Sequence, residues 1–64
     1  MLRDSRDTIK RLKADGFELV SVRGPHHKFR QPLDGRVVIL THPRKDIPAG
    51  TVRSFYAQAR WPKD

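Results

Sequence analysis

The chain has 64 residues and no cysteine, and its fourteen Lys and Arg against seven Asp and Glu give a formal charge of +7. This length predicts a single domain over residues 1–64, and the lack of cysteine excludes disulfides and thiolate metal sites. No apolar run is long enough for a signal peptide or a membrane span, so we expect a cytoplasmic protein without a membrane partner. The positive charge favours an anionic partner, either RNA or an acidic protein.

A short basic helix is predicted at the start of the chain. Asp4 suits its N-cap, Asp7 its positive end and Gly16 the residue just past its last turn. Ile9 and Leu12 are three residues apart, which predicts a narrow inward face. Four basic residues are expected to face outward: Arg6, Lys10, Arg11 and Lys13.

Segments rich in β-forming residues predict three antiparallel strands, over 17–23, 26–30 and 36–41. Gly24-Pro25 interrupts the first pair of strands, because proline has no N–H to donate. A cluster of Pro, Asp and Gly separates the second pair. The three strands therefore form a predicted meander.

Alternation along each strand separates side chains that face the helices from those that face away. In the first strand it groups Phe17 with Leu19 and Ser21. Five large apolar residues are predicted to form the core rather than to stack on bases: Phe17, Leu19, Ile39, Phe55 and Trp61. The third strand is apolar throughout 37–40, so we expect its outer face to be covered by an antagonist protein or a second copy.

A second helix is predicted from Pro48, in its first turn, through Val52 and Phe55 to about Arg60. Gly50 weakens the first turn by about 1 kcal/mol relative to alanine. The order helix, three strands, helix predicts an α+β sandwich in which two helices cover one face of a three-stranded antiparallel sheet.

The adjacent histidines at the start of the second strand are predicted to point to opposite faces. If Phe29 faces the helices, His27 shares its side and suits a structural role, with a catalytic or substrate-contacting role as the alternative. His26, Lys28 and Arg30 then form a basic row on the other face. RNA cleavage without a metal needs proton transfer and a cation near the phosphate. From the residues alone, His26 is either a general base or acid, with Lys28 stabilising phosphate charge, or simply an exposed histidine.

His42 is a further candidate proton carrier, although its place before Pro43 is more typical of a loop corner. The three histidines do not have the spacing or supporting ligands of a zinc site, so neither a metal nor a cofactor is expected. Basic residues expected to bind RNA occur throughout the chain: Arg6, Lys10, Lys13, Arg23, Lys28, Arg30, Arg44, Lys45 and Arg53.

Several short motifs occur together along nearly the whole chain. They are Asp15-Gly16-Phe17, Gly24-x-His26-His27, His42-Pro43 and Pro48-x-Gly50-Thr51-Val52-Arg53-Ser54. In order and spacing they resemble the HicA toxins of bacterial toxin–antitoxin systems. The resemblance implies a fold like that of a double-stranded-RNA-binding domain, mRNA interferase activity, and a HicB antitoxin as partner. It also implies that His26 is the functional histidine.

The chain departs from the family pattern at two places. Pro25 stands where the family has a serine before the functional histidine, so any hydrogen bond from that hydroxyl is missing. Arg60-Trp61 stands where the family tends to have glycine and an aliphatic residue. Neither change removes the predicted catalytic group.

Two other functions fit the same composition. One is a non-catalytic double-stranded-RNA-binding module, which would bind RNA without cleaving it. The other is a small interaction subunit whose positive charge meets an acidic protein, which would have negligible RNA affinity at physiological salt.

Overall fold

The computed structural model describes residues 1–64 and confirms the predicted order of helices and strands. The order is α1 (Ser5–Ala14), β1 (Glu18–Arg23), β2 (His26–Arg30), β3 (Val37–Thr41) and α2 (Ala49–Ala59). The strands form one antiparallel sheet in the order β1-β2-β3, and the helices pack on one face. This is the α+β sandwich of a double-stranded-RNA-binding domain, as the sequence predicts.

The ends of α1 follow its predicted caps. The Asp4 carboxylate accepts the backbone N–H of Arg6 at 2.9 Å, which satisfies one of the free donors of the first turn. Gly16 follows the helix with φ +84°, and a Cβ there would lie 2.8 Å from Nε2 of Gln31. That amide nitrogen donates to the carbonyl of Asp15 at 3.0 Å. Glycine is therefore required both by the backbone conformation and by the close approach.

The core lies between the helices and the inner face of β2 and β3. Its buried members include Phe29, Val38 and Leu40 from the sheet and Leu12, Val52, Phe55 and Tyr56 from the helices. The core prediction is confirmed for Phe17 and Phe55, and Trp61 packs at the edge of the core.

The core prediction is wrong for Leu19 and Ile39, which are 48% and 50% exposed. Ile39 pairs with Lys28 and so lies on the outer face of the sheet. Leu19 pairs with Phe29 and lies on the inner side, but every residue of β1 is exposed. The two helices therefore cover β2 and β3 and leave β1 open on both faces.

A β-bulge in β1 changes which residues share a face. Leu19 pairs with Phe29, whereas the next paired residue, Ser21, is opposite Lys28, so Val20 is the extra residue. Ser21 therefore lies on the outer face with Lys28, and the predicted grouping of Leu19 with Ser21 is wrong. Simple alternation fails at this point because a bulge inserts one residue into the period of two.

Asp15 joins α1 to the C-terminal segment and to β3. Its carboxylate accepts the indole N–H of Trp61 at 3.0 Å and a guanidinium N–H of Arg36 at 2.9 Å. The Arg36 side chain is 13% exposed and also lies over the ring of Phe17. This partly exposed cluster fixes the position of Trp61, which belongs to one of the two places at which the sequence departs from the family pattern that it resembles.

Arg11 faces the C-terminal segment, so the prediction that it points outward is wrong. Its guanidinium lies 4.5 Å from the ring centroid of Trp61 and donates to Asp64 at 2.9 Å. It also donates to the hydroxyl of Tyr56 at 3.3 Å. The positive charge of Arg11 is therefore paired within the fold, by cation–π contacts and by these hydrogen bonds.

Replacing Asp15 is expected to destabilise the protein in a pH-dependent way. The hydrogen bond from Trp61, with that from Arg36, lowers the pKa of Asp15 below its usual 3.8. A lowered pKa means that this contribution is present above about pH 4 and is lost as the pH falls through the folded-state pKa. Urea unfolding should show Asp15→Asn well below the parent in free energy of unfolding at neutral pH, with a gap that shrinks in acid.

Asp46→Asn is the matched control, because its carboxylate is 85% exposed and pairs only with Arg3. It should lose less stability at neutral pH, as exposed ion pairs contribute about 0–1 kcal/mol. A gap for Asp15→Asn that stays constant with pH would contradict the assigned role of its carboxylate.

Candidate active site and basic surfaces

The outer face of β2 carries a histidine and two cations in a row. Phe29 is 1% exposed on the inner face, so His26, Lys28 and Arg30 point the other way and are exposed. Proline before the strand does not shift its register, because the β2–β3 pairing is regular from His26 to Arg30. His26, Lys28 and Arg30 therefore share the outer face of β2, as the sequence predicts.

Neighbouring strands place further side chains around His26. It lies opposite Arg23 of β1 and Thr41 of β3. Lys28 lies opposite Ser21 and Ile39, and residues opposite one another have Cβ atoms about 4.5–5.5 Å apart. Together these side chains surround one depression of about 360 Å³, lined by Ser21, Arg23, His26, Lys28 and Ile39. We call it the His26 depression.

The cations of this depression have no carboxylate partners. Salt bridges engage Arg3, Arg6, Arg11 and Arg36, and all other Lys and Arg side chains are free of them. Arg23 and Lys28 belong to the free set, as does Arg30 farther along β2. Part of the uncompensated charge of the chain is thus available on the open face of the sheet, where it attracts an anion.

His27 points to the inner side and is half-buried. Its Nδ1 lies 3.3 Å from the carbonyl oxygen of Pro25, and its ring meets that of His42 edge-on with centroids 5.0 Å apart. These contacts are those of a packed histidine. The adjacent residues His26 and His27 therefore face different surroundings.

His42 lies beyond the end of β3, in a loop fastened to the start of α1. Its Nδ1 is 2.7 Å from Oγ of Ser5, which also accepts the backbone N–H of Arg44 at 2.9 Å. The backbone N–H of Ser5 donates to the carbonyl of Arg44 at 2.8 Å, and Ser5 is fully buried. Because His42 packs on His27, it is on the inner side of the sheet and does not line the His26 depression.

A second depression, of about 400 Å³, lies beside this loop. It is lined by Arg6, His42, Pro43, Arg44 and Lys45. We call it the His42 depression. The basic residues named from the sequence thus fall into two main groups, one on each side of the sheet end. Four others line neither depression: Lys10, Lys13 and Arg53 on the helices and Arg30 on β2.

Ser21 and Thr41 are site residues that the sequence analysis missed. Ser21 is brought to the outer face by the bulge, and Thr41 lies directly opposite His26. Ser21 lines the His26 depression, and Thr41 is the strand partner of His26. Pairing of the last residue of β3 with the first of β2 would have located Thr41, whereas no local signal marks the bulge that moves Ser21.

The fold and the site define a small basic protein with the architecture of a double-stranded-RNA-binding domain and an exposed histidine among free cations. A comparison with family models matches residues 5–61 to the HicA toxin of bacterial toxin–antitoxin systems. The chain belongs to the HicA toxin family, so an antitoxin is its expected counterpart. A search of curated proteins found no match to this chain.

No three His, Asp or Glu side chains come together as a group that could hold a metal ion. Neither helix has the length and apolar character needed to cross a membrane.

Ser5→Ala is expected to loosen the loop that carries His42. The change removes the acceptor of the Arg44 N–H and the partner of the His42 ring from a fully buried position, at a cost of about 1–3 kcal/mol. Chemical denaturation should show this loss, and hydrogen exchange at the Arg44 amide should become faster. The matched control is Ser54→Ala on the exposed surface of α2, which should change neither quantity. Equal stability of the two variants would contradict the bridging role of Ser5.

Proposed function

We propose that this toxin is a metal-independent endoribonuclease, an mRNA interferase, that uses His26 and is neutralised by a HicB-like antitoxin. The observation that carries the proposal is the exposed imidazole of His26 in a depression that also contains the free cations Arg23 and Lys28. Membership of the HicA toxin family supports it. Cleavage of mRNA would stop translation and growth.

The chemistry follows from these three side chains. A neutral imidazole can accept the proton of a ribose 2′-hydroxyl as the oxygen attacks the adjacent phosphorus, and an imidazolium can donate a proton to the leaving 5′-oxygen. Either role suits His26. Lys28 and Arg23 supply positive charge for the phosphate oxygens as negative charge builds up on them.

The other two histidines have different surroundings. The rings of His27 and His42 contact each other on the inner side of the sheet, and neither lines the depression that holds His26. A pair of histidines that act on the same phosphate, as acid and base, would have to share one depression. We therefore propose His26 alone as the catalytic histidine.

The antitoxin is proposed to cover the same depression. Ile39 lines it and is 50% exposed, which provides an apolar contact surrounded by cations. A partner with an apolar side chain and neighbouring carboxylates would match this surface, since charge complementarity favours both encounter and orientation. Such a partner would exclude RNA from His26.

His26→Ala should fold like the parent and lose RNA cleavage. The side chain is exposed and makes no hydrogen bond within the protein, so little stability is at stake. General acid–base catalysis contributes about 10²–10⁴-fold, which sets the expected loss of rate. Defined single-stranded and structured RNAs should be incubated in EDTA with both proteins, and the products resolved on gels.

His27→Gln is the neighbouring control and should retain most of the cleavage. Equal loss of activity in the two variants, with both folded, would contradict the assignment to His26. Intact RNA binding without cleavage by the parent, at several pH values, would instead support a non-catalytic RNA-binding module.

Ile39→Glu should weaken the complex with the antitoxin by about tenfold or more. The change places a carboxylate on the proposed contact and opposite an acidic partner, and like charges there oppose binding. Leu33→Glu is the control, because Leu33 is an apolar residue that is 91% exposed away from the depression. Calorimetric titration of each variant with purified antitoxin would measure the difference. The same affinity for both variants would contradict an antitoxin seated over Ile39.

A further inference from the structure

We infer that the His42 depression is a second phosphate-binding site, and that one single-stranded RNA runs from it around the end of the sheet to His26. This inference rests on the proposed nuclease function and adds to it the kind of RNA that is cut. It assigns to His42 the binding of another phosphate of the same strand, in place of a part in proton transfer.

The lining of the His42 depression suits an anion. Arg6, Arg44 and Lys45 supply three cations, and no carboxylate lines the depression. Arg6 is partly compensated, because Asp4 lies 3.7 Å from its Nε, but Arg44 and Lys45 have no acidic partner. The depression thus keeps a net positive charge.

The imidazole of His42 is held with one nitrogen left for a ligand. Oγ of Ser5 accepts the backbone N–H of Arg44 and also lies 2.7 Å from Nδ1 of His42; when this hydroxyl donates to Nδ1, the ring carries its hydrogen on Nε2. No hydrogen bond within the protein uses Nε2. An N–H donor at this atom would add to the three cations.

The loop that carries these groups is fixed before any ligand arrives. The backbone N–H of Ser5 donates to the carbonyl of Arg44, and the backbone N–H of Arg44 donates to Oγ of Ser5. The backbone N–H of His42 donates to the carbonyl of Pro25 at 2.8 Å. A site formed in advance loses less conformational entropy when a ligand binds. The backbone of the loop and the ring of His42 are thus held in place.

The two depressions are close together but lie on different sides of the sheet. His26 lines the first, and its neighbour His27, one residue or about 3.8 Å along the backbone, packs against His42 of the second. A chain that connects them must bend around the end of β2, past the turn at Gly24-Pro25. Successive phosphates of a flexible strand can follow such a bend.

A duplex does not fit this path. Double helices are stiff over lengths far greater than this protein, with a persistence length of about 50 nm for DNA. A-form RNA duplexes are bound across a broad, shallow minor groove, by surfaces that face the duplex from one side. The depressions face two sides, so the geometry selects single-stranded RNA although the fold is that of a duplex binder.

The test compares two double variants that remove the same charge. Arg44→Gln/Lys45→Gln alters the His42 depression, and only the backbone of Arg44 serves the fold. Arg60→Gln/Lys63→Gln is the control, since both cations are exposed near the C-terminus and line neither depression. Binding is measured in a His26→Ala background, by fluorescence anisotropy on a single-stranded RNA of roughly 12 nucleotides, over a range of salt concentrations.

The first variant pair should reduce the slope of log affinity against log salt by about 0.7, the value expected when one phosphate of a single strand is no longer neutralised. The control pair should leave the slope close to that of the single His26→Ala variant. With His26 present, the first pair should cleave the long RNA more slowly than the parent and a dinucleoside phosphate equally well, since the latter reaches only one depression. The parent should cleave single-stranded RNA faster than a duplex of the same sequence.

An unchanged salt slope in Arg44→Gln/Lys45→Gln would overturn the second site and leave the proposed nuclease function standing. Equal cleavage of duplex and single strand would overturn the bent path. A loss confined to antitoxin binding would show that the depression serves a protein instead. Failure of the parent itself to cleave any of these RNAs would overturn the proposed function, which is a distinct result.

Discussion

The burial of Phe29 between the sheet and the helices is the constraint on which the arrangement of this protein depends. Its side chain is almost fully enclosed, and burying a residue of this size contributes about 1.5–3 kcal/mol. Because neighbours in a strand alternate, this one contact sends His27 inward with Phe29 and keeps His26 and Lys28 in solvent. A slip of one residue would exchange the two histidines and bury a lysine.

The acidic residues are used mainly to hold the fold together, which leaves the basic ones for a partner. Asp15 and Asp64 fasten the C-terminal segment through Trp61 and Arg11, and Asp4 caps α1. The cations of the two depressions, Arg6 apart, have no such partners. These unpaired cations repel one another, which lowers the stability of the folded state. A small domain has only a limited core to offset this repulsion. Binding of a polyanion or of an acidic partner should therefore stabilise the fold.

Local signals in the sequence account for much of the fold. Asp4 and Gly16 mark the ends of α1, and the position of Phe29 is sufficient to give the faces of β2. The order of helices and strands follows from such signals together with the turn residues. The alternation of β2 also separates His26 from His27 without any knowledge of the packing.

Features that depend on contacts between distant segments have no local signal in the sequence. The bulge at Val20 has no glycine to signal it, so the shift of Ser21 to the outer face could not be read from the residues. Exposure of Leu19 depends on how far the helices extend over the sheet. The contact between Ser5 and His42 joins residues 37 apart, and it separates His42 from His26 in a way that loop position alone does not reveal.

The bulge has a further consequence for behaviour in solution. β1 is an edge strand with three half-exposed apolar side chains: Leu19, Val20 and Val22. The free backbone groups of such a strand can pair with a strand of another chain. The irregularity at Val20 interrupts the row of free backbone donors and acceptors, and Glu18 and Arg23 place charges at either end. An irregular, charged edge of this kind is less open to strand addition by another chain.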